Sequence, residues 1–337
     1  MRAAHLRARS VLRIATYNIL LGGTEREEPI TNVLRRVDAD VIALEEACNL
    51  EFVTALAGTL GMQALVGEPS DPPPNCPIAI LTRRPVRTWT NRRHAGRMLR
   101  SHLQCEIETG WADMPTIGVH AVHLAARFGE RNKGEARRMR ELTAVLEDIA
   151  EEPHLPHLIA GDFNSVSPGD EVAATNFFRT WNELRRLGLL VAQPDGLLVP
   201  EVRTEANARQ LDDAWRRAGV DPRLKGGIPV LPRVVGPLTA NIPVNPAIDR
   251  FMSRFIERWT VERLLHHGYV DSFRRVHPRA HGLTVATWAP AARVDYVFCT
   301  PDLARRLVAC EVVGDRRWPE PDAWRGSDHF PVVADLS

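Results

Sequence analysis

Runs of aliphatic and β-branched residues recur along the chain, and most of them stop at a polar cluster. Val11 to Leu20 (VLRIATYNIL) is apolar and followed by Gly22-Gly23, which predicts a buried strand running into a loop. Asp40 to Leu44 (DVIAL) predicts a second buried strand that ends in Glu45-Glu46, and Cys76 to Leu81 (CPIAIL) a third behind a Pro-rich loop. Leu103–Ile107, Thr116–His123 and His157–Ala160 (HLIA) are also strand-like, the last closing at Gly161-Asp162-Phe163-Asn164. Near the C-terminus come Arg293–Phe298 (RVDYVF) and Pro331–Leu336 (PVVADL), with Ser327-Asp328-His329 just ahead of the second. Helical spacing runs over Pro29–Val37, over Leu50–Leu60 up to Gly61, and over Gly134–Ile149, which is amphipathic.

Strands therefore alternate with helices, yet many are joined by short turns. That order predicts a mixed sheet, or two sheets packed face to face with helices outside. Residues 175–267 break the pattern. They carry helical pieces around Asn182–Leu187 and Ala206–Ala218 and a Pro/Gly-rich stretch, Gly226–Pro246. A stronger helix follows, Ile248–His266, with Phe251, Phe255, Trp259 and Leu264 near one face. The stretch at about 175–267 reads as an insertion in a main domain spanning 11–337, either a lid or a passive surface excursion.

The 337 residues, 44% hydrophobic and 25% charged, are enough for one large α/β domain or two ordinary ones with a sizeable core. A formal net charge of +1 means that any basic face for gripping nucleic acid would have to be local. Nearly all cations are Arg, with Lys133 and Lys225 the exceptions. The arginines from Arg83 to Arg100 form a basic run, either a solvated face or a path for an anionic substrate. Cys48, Cys76, Cys105, Cys299 and Cys310 are odd in number and include no C-x-x-C pair. That argues against a zinc ribbon or a disulfide scaffold and for reduced thiols in a cytoplasmic protein. The Arg-rich opening, Met1–Ser10, does not read as a signal peptide. No run approaches the ~18 apolar residues of an integral membrane segment, and no feature points to a protein partner.

Taken singly, the polar clusters are ordinary: Asn18 could form a turn, and Glu46 could be solvated. Together they close or border buried strands at five places: Asn18, Glu46, His123, Asp162 with Asn164, and Asp328 with His329. Polar groups at the ends of core strands converge on one rim of a sheet, where α/β enzymes carry their sites. A carboxylate-rich rim without Cys/His pairing suits a hard, oxygen-seeking ion such as Mg²⁺.

The segments ATYNIL, DVIALEEA, CPIAILTRRPV, AVHL, ARRMREL, GDFNS, RVDYVF and SDHFPVV resemble, in order and spacing, the endonuclease/exonuclease/phosphatase superfamily. That group includes pancreatic-type deoxyribonuclease, abasic-site endonucleases, sphingomyelinases and inositol-polyphosphate 5-phosphatases. The match runs over 11–174 and about 268–337, roughly two thirds of the chain. It implies an α/β (α+β), deoxyribonuclease I-like fold: a four-layered sandwich of two packed mixed β-sheets flanked by helices. It also implies that Glu46 is the principal Mg²⁺ ligand, with Asn18 and Asp328 nearby, and that Mn²⁺ could substitute. Asp162 and Asn164 would orient or deprotonate the attacking water and touch the phosphate. His329 would contact the phosphate or act as acid/base, Asp295 would fix its tautomer, and His123 would be a second phosphate-facing histidine. His120, three residues earlier on the same strand, falls on the opposite face and reads as an ordinary outer-face residue.

Three positions depart from the family pattern. Glu45 stands where Gln is common, and Leu20 where abasic-site endonucleases carry Asp. The helix motif reads Arg138-Met139-Arg140-Glu141, with Glu in place of Gln. These weaken the case for DNA repair and leave the core chemistry intact. The expectation is a Mg²⁺-dependent hydrolase of phosphate mono- or diesters, its substrate a small or lipid-linked phosphate. A nuclease acting on DNA or RNA is the alternative, and a non-catalytic binding module the remote one.

Overall fold

The computed structural model describes residues 11–71, 75–126, 133–151, 155–202 and 204–337. The Arg-rich opening, Met1–Ser10, and part of the Pro-rich loop before Cys76 lie outside them.

The first strands are β1 (Leu12–Asn18), β2 (Val41–Glu45), β3 (Gln63–Val66), β4 (Ala79–Thr82), β5 (Val86–Arg92), β6 (His102–Glu108), β7 (Thr116–His123) and β8 (His157–Asp162). Residues 174–266 then contribute the short strands β9 (Leu190–Ala192), β10 (Leu197–Pro200) and β11 (Leu231–Pro232). The chain continues with β12 (Val270–Asp271), β13 (Asp295–Cys299), β14 (Leu307–Val312) and β15 (Val332–Leu336). Two six-stranded mixed sheets result, ordered β14-β15-β1-β2-β4-β3 and β12-β13-β8-β7-β6-β5. β1 pairs parallel with β2, and β7 parallel with β8; the remaining pairs are antiparallel.

The sheets face each other over one apolar core. Ile14, Ile42 and Leu81 from the first meet Leu103, Ile117, Leu158 and Val297 from the second. Each such side chain contributes about 1.5–3 kcal/mol by leaving water. Helices Glu27–Val37 and Leu50–Leu60 bury Ile30, Val33, Phe52 and Leu56 in the same cluster. Helix Gly134–Ala150 packs Leu142 and Val145 on Ile159 and Phe298 of the second sheet. The arrangement is a helix–sheet–sheet–helix sandwich of the α/β class.

Residues 174–266 build a separate core around the fully buried Trp181 and Trp215. The single helix expected over Ile248–His266 is instead two, Pro246–Ser253 and Trp259–His266. The break is held by Arg258, whose guanidinium donates to the carbonyls of Ser167, Asp170 and Ser253. Leu264 is buried, but Phe251, Phe255 and Trp259 are exposed, so the expected common face does not form.

Two further expectations need correction. Cys48 and Cys76 form a disulfide with Cα atoms 4.9 Å apart. The antiparallel pairing of Leu44 with Ala79 brings the flanking segments together. Cys105, Cys299 and Cys310 are free and buried. Disulfides belong to oxidising compartments, so cysteine usage no longer favours the cytoplasm. Among the described residues no helix is long and apolar enough to cross a membrane.

His120 is not an outer-face residue in contact with solvent; it is 5% exposed. His102 Nδ1 lies 2.8 Å from Asp148 Oδ2, and His102 Nε2 lies 2.9 Å from His120 Nδ1. A donor must face an acceptor at each contact. The carboxylate therefore sets His102 as donor from Nδ1, and His120 as donor from Nδ1 to His102. Burial pushes both imidazoles below their ordinary range, His120 well below it. Their contribution to stability is complete above the unfolded value of about 6.5 and is lost as pH falls through the lower folded values. Urea midpoints measured from pH 7 down to pH 5 should fall more steeply for the wild type than for His120→Gln. Equal slopes would contradict neutral burial.

Candidate active site

Backbone register brings the polar strand ends together. On the second sheet, His123 of β7 and Asp295 of β13 both sit opposite Asp162 of β8, which makes one row across three strands. On the first sheet, Asn18 ends β1 opposite Glu45 at the end of β2. His329 lies just before β15 and bridges to Val285. Gly161 makes the row tight, because a Cβ there would lie 1.8 Å from the Val122 carbonyl oxygen. Only glycine lets β8 pass β7 so closely, which accounts for the residue that opens GDFN.

Asn18, Glu46, His123, Asp162, Asn164, Asp328 and His329 all line one cavity of about 430 Å³. Asn18 links the two sheets: its Nδ2 donates to Asp162 Oδ2 at 3.1 Å and to Glu46 Oε1 at 3.4 Å. Asn164 Nδ2 also donates to Asp162 Oδ2 at 3.1 Å, and the Asn164 N–H donates to Asp162 Oδ1 at 2.8 Å. Glu46 and Asn164 both adopt left-handed backbone, with φ of 57° and 49°. Such conformations cost non-glycine residues on the order of 1–2 kcal/mol and gather where a side chain must be aimed. Glu46 is held there by the Leu21 N–H, which donates to Oε2 at 2.7 Å, and by the N–H groups of Gly22 and Cys48, which both donate to its carbonyl at 2.8 Å.

Asp162, Asp295 and His329 bring ligand atoms within 4.8 Å of one another. His329 Nδ1 lies 2.9 and 3.0 Å from the two Asp295 oxygens, and its Nε2 lies 3.8 Å from Asp162 Oδ2. Burial alone would lower the imidazole, but Asp295, Asp162 and Asp328 outweigh it and hold His329 well above its usual range. With Nδ1 engaged by Asp295 and Nε2 facing Asp162, the trio is arranged to handle a proton. Burial raises Asp162, with Asp295 adding to it. Burial lowers His123, assisted by Arg100 and His329. The His123 Nε2 lies 3.4 Å from Asp162 Oδ2, and its buried Nδ1 has no partner.

Asp328 is raised by burial and by the negative charge of Glu46. Glu46 and Asp328 thus line the same cavity beside the Asn18 amide, carboxylates of the kind that a hard divalent ion takes as ligands. Glu45 does not line the cavity. It is fully buried, accepts from Thr16 Oγ1 at 2.8 Å, and is held well above the usual carboxylate range by burial and by Asp295.

Several residues that shape the site carry no local pattern in the sequence. Arg26 ties the Leu20 loop down through the carbonyls of Ile19, Leu20 and Gly326. Glu141, at the family's Gln position, accepts from the N–H groups of Leu99 and Ala125 and so pins the segment after β7. Arg293 forms a fork with Asp271 at 2.9 and 2.7 Å and reaches Asp170 at 2.8 Å. The R-V-D-Y motif could have suggested Arg293, but its partners lie 22 and 123 residues away.

The basic run from Arg83 to Arg100 is not a free cationic track. Arg83, Arg84, Arg87, Arg92, Arg93 and Arg97 pair with Asp38, Asp40, Glu108, Glu151, Glu68 and Glu147. Arg100 donates to the Leu124 carbonyl.

No curated protein matches the chain in sequence. Solved structures similar to it include an AP endonuclease from Archaeoglobus fulgidus, at 16% identity and TM-score 0.57 over 97% of this chain and 99% of that one. A 3'-5' exonuclease from Neisseria meningitidis matches at 16% identity and TM-score 0.57, covering 97% and 100%. A mannosyl-6-phosphatase from Bacteroides thetaiotaomicron matches at 14% identity and TM-score 0.56, covering 97% and 99%. At such identities the likeness establishes the fold. The model of the Endonuclease/Exonuclease/phosphatase family matches residues 15–329. The chain accordingly belongs to the endonuclease/exonuclease/phosphatase family of phosphate-ester hydrolases.

Proposed function

We propose that this protein hydrolyses phosphate mono- or diesters of small or lipid-linked alcohols, using a divalent cation, Mg²⁺ or Mn²⁺, and an attacking water. The observation that carries this reading is the meeting of seven strand-end and loop residues from both sheets in one cavity. Glu46 and Asp328, with the Asn18 amide beside them, would hold the cation. The chemistry it supplies when bound is neutralisation of phosphoryl charge and a lower pKa for a coordinated water.

The chain's own groups account for the rest. Asp162 is kept in one rotamer by three donors from Asn18 and Asn164, and its raised basicity fits it to take a proton from water. Asn164 would share its amide with a phosphoryl oxygen. His329, kept cationic by Asp295, would donate from Nε2 to a phosphoryl or leaving oxygen, and its charge would be stabilising there. His123, whose Nε2 faces Asp162 Oδ2 at 3.4 Å, would be the second histidine beside the same phosphate. Arginines already paired with carboxylates give little support to a nuclease that tracks a backbone, since such binding relies on free cations that release counterions. A non-catalytic binding module would have no use for a base held in a strained polar cluster.

A panel of phosphate esters assayed with Mg²⁺ or Mn²⁺, with chelator and Glu46→Ala as blanks, tests the reading. Metal-dependent release of phosphate or alcohol, lost in both blanks, is the expected result. Rapid cutting of plasmid or single-stranded DNA with no turnover of small esters would favour the nuclease.

A further inference from the structure

Beyond its polar end, the cavity of about 430 Å³ runs into a wall made almost entirely of carbon. Phe177 and Phe178 come from helix Ala174–Arg186, Met252 and Ile256 from around the helix break, and Val285 and Trp288 from the segment before β13. The charged groups on its lining, Glu46, Asp162, Asp328 and His329, are all members of the phosphate-handling cluster. A pocket with one polar end and a long apolar remainder sorts its ligand by chemistry: the charge goes to one end and the hydrocarbon to the other.

We propose that this cavity holds the organic group of the substrate and that the group is an apolar chain, so that the substrate is a phosphate ester of a lipid-like alcohol. The proposal rests on the phosphate-ester reading of the polar end and adds the identity of the alcohol. At about 30 Å³ per small group, the volume of a water, the whole cavity holds on the order of ten to fifteen non-hydrogen atoms, the phosphate group among them. A sugar or base would strand its hydroxyl and amide groups against Phe178, Ile256 and Val285, an unfavourable exchange for water.

The outer surface of the same segment points to where such a chain comes from. Phe251 is 58% exposed, Phe255 70% and Trp259 52%. Phe251 and Phe255 stack edge to face with ring centroids 5.2 Å apart. The exposed Arg250 and Arg254 lie between and beside them. Phe251, Phe255 and Trp259 span the helix break, and exposed aromatics beside arginines, with Glu257 the acidic residue among them, suit the boundary of a lipid surface. Met252 and Ile256, on that segment, line the cavity. The roof is close as well: a Cβ on Gly227 would lie 2.1 Å from Asp328 Oδ2, so the strap through Gly226 and Gly227 crosses directly above the polar end.

The test is a series of 1-alkyl phosphates from methyl to dodecyl with Mg²⁺, each presented both as monomer and in phosphatidylcholine vesicles. kcat/KM should rise roughly two- to fourfold per methylene, from the transfer free energy of a CH₂, and level off once the cavity is full. Phe178→Asp and Ile256→Asp should each cut the dodecyl-to-methyl ratio at least tenfold. The ratio is insensitive to partial misfolding, because loss of active protein lowers both rates together. A chain-length gain in either presentation supports the proposal, and the faster one names the source. Hydrolysis of methyl phosphate with no gain along the series, or preference for an oligonucleotide over dodecyl phosphate, overturns it while the catalytic reading stands. If no ester turns over, calorimetric binding of the same series decides the cavity alone: tighter binding with length supports it, and no trend overturns it.

Discussion

Asp162→Asn should reduce turnover of any phosphate ester this protein accepts by on the order of 10²–10³, with a much smaller effect on unfolding. The substitution keeps the shape of the side chain and removes its charge and basicity. Asp162 is where four other members of the cluster converge. Asn18 reaches it from the first sheet, Asn164 from the following loop, and His123 and His329 face its Oδ2 at 3.4 and 3.8 Å. An amide nitrogen at that oxygen would oppose donors already aimed there, so the neutral side chain loses the proton acceptor and also the focus of the network. His329→Ala should cost a similar factor by removing the imidazolium. If the two act as a unit, the double variant will be little slower than either single one, as for other groups that work together. Steady-state rates of the four proteins measure this. Factors that multiply would mean that the residues act independently, and a fully active Asp162→Asn would remove the aspartate from the mechanism. Circular dichroism on the same samples separates lost chemistry from lost fold.

Arg293→Ala should destabilise the protein by about 3–5 kcal/mol, far more than a surface arginine. Arg293 is 1% exposed and lies between Asp170 and Asp271. Burial works against its charge, and the two carboxylates overcome that and raise it further. Removing the cation leaves two buried negative charges facing each other, with partial compensation from Arg274, whose guanidinium pairs with Asp170 and whose N–H donates to Asp271. The fork also locks the strand that carries Asp295, two residues on, so activity should fall with stability. Urea unfolding monitored by tryptophan fluorescence gives the size of the effect. Replacing all three residues with Asp170→Asn, Asp271→Asn and Arg293→Met should recover much of the loss, because the damage comes from uncompensated charge. A single Arg293→Ala variant with wild-type stability would contradict this account.

Strand existence was legible wherever apolar residues ran unbroken. β1, β2, β7, β8, β13 and β15 are buried along nearly their whole length, and helices Leu50–Leu60 and Gly134–Ala150 fall where the 3.6-residue spacing puts them. β5 was hidden inside the arginine run, since an edge strand with mostly exposed or half-buried residues has no buried pattern to reveal it. The candidate site was legible as a set of residue types ending strands. Its members come from both sheets, and which neighbour faces which follows from register.

In the sequence the family was legible as a resemblance of motifs such as GDFNS and SDHFPVV, and the strand–helix order and the polar strand ends were legible because burial and dipeptide-level turn chemistry are local properties. Only the tertiary structure decided that Asn18 spans the two sheets to Asp162, that Cys48 meets Cys76, and that Arg258 breaks a helix. It also decided that Phe177, Met252 and Trp288, more than a hundred residues apart from first to last, wall a single apolar cavity. Each of these depends on contacts between segments distant in the chain. Their partners are chosen by packing and by the need to satisfy buried polar groups, and neither leaves a mark in any short stretch of residues.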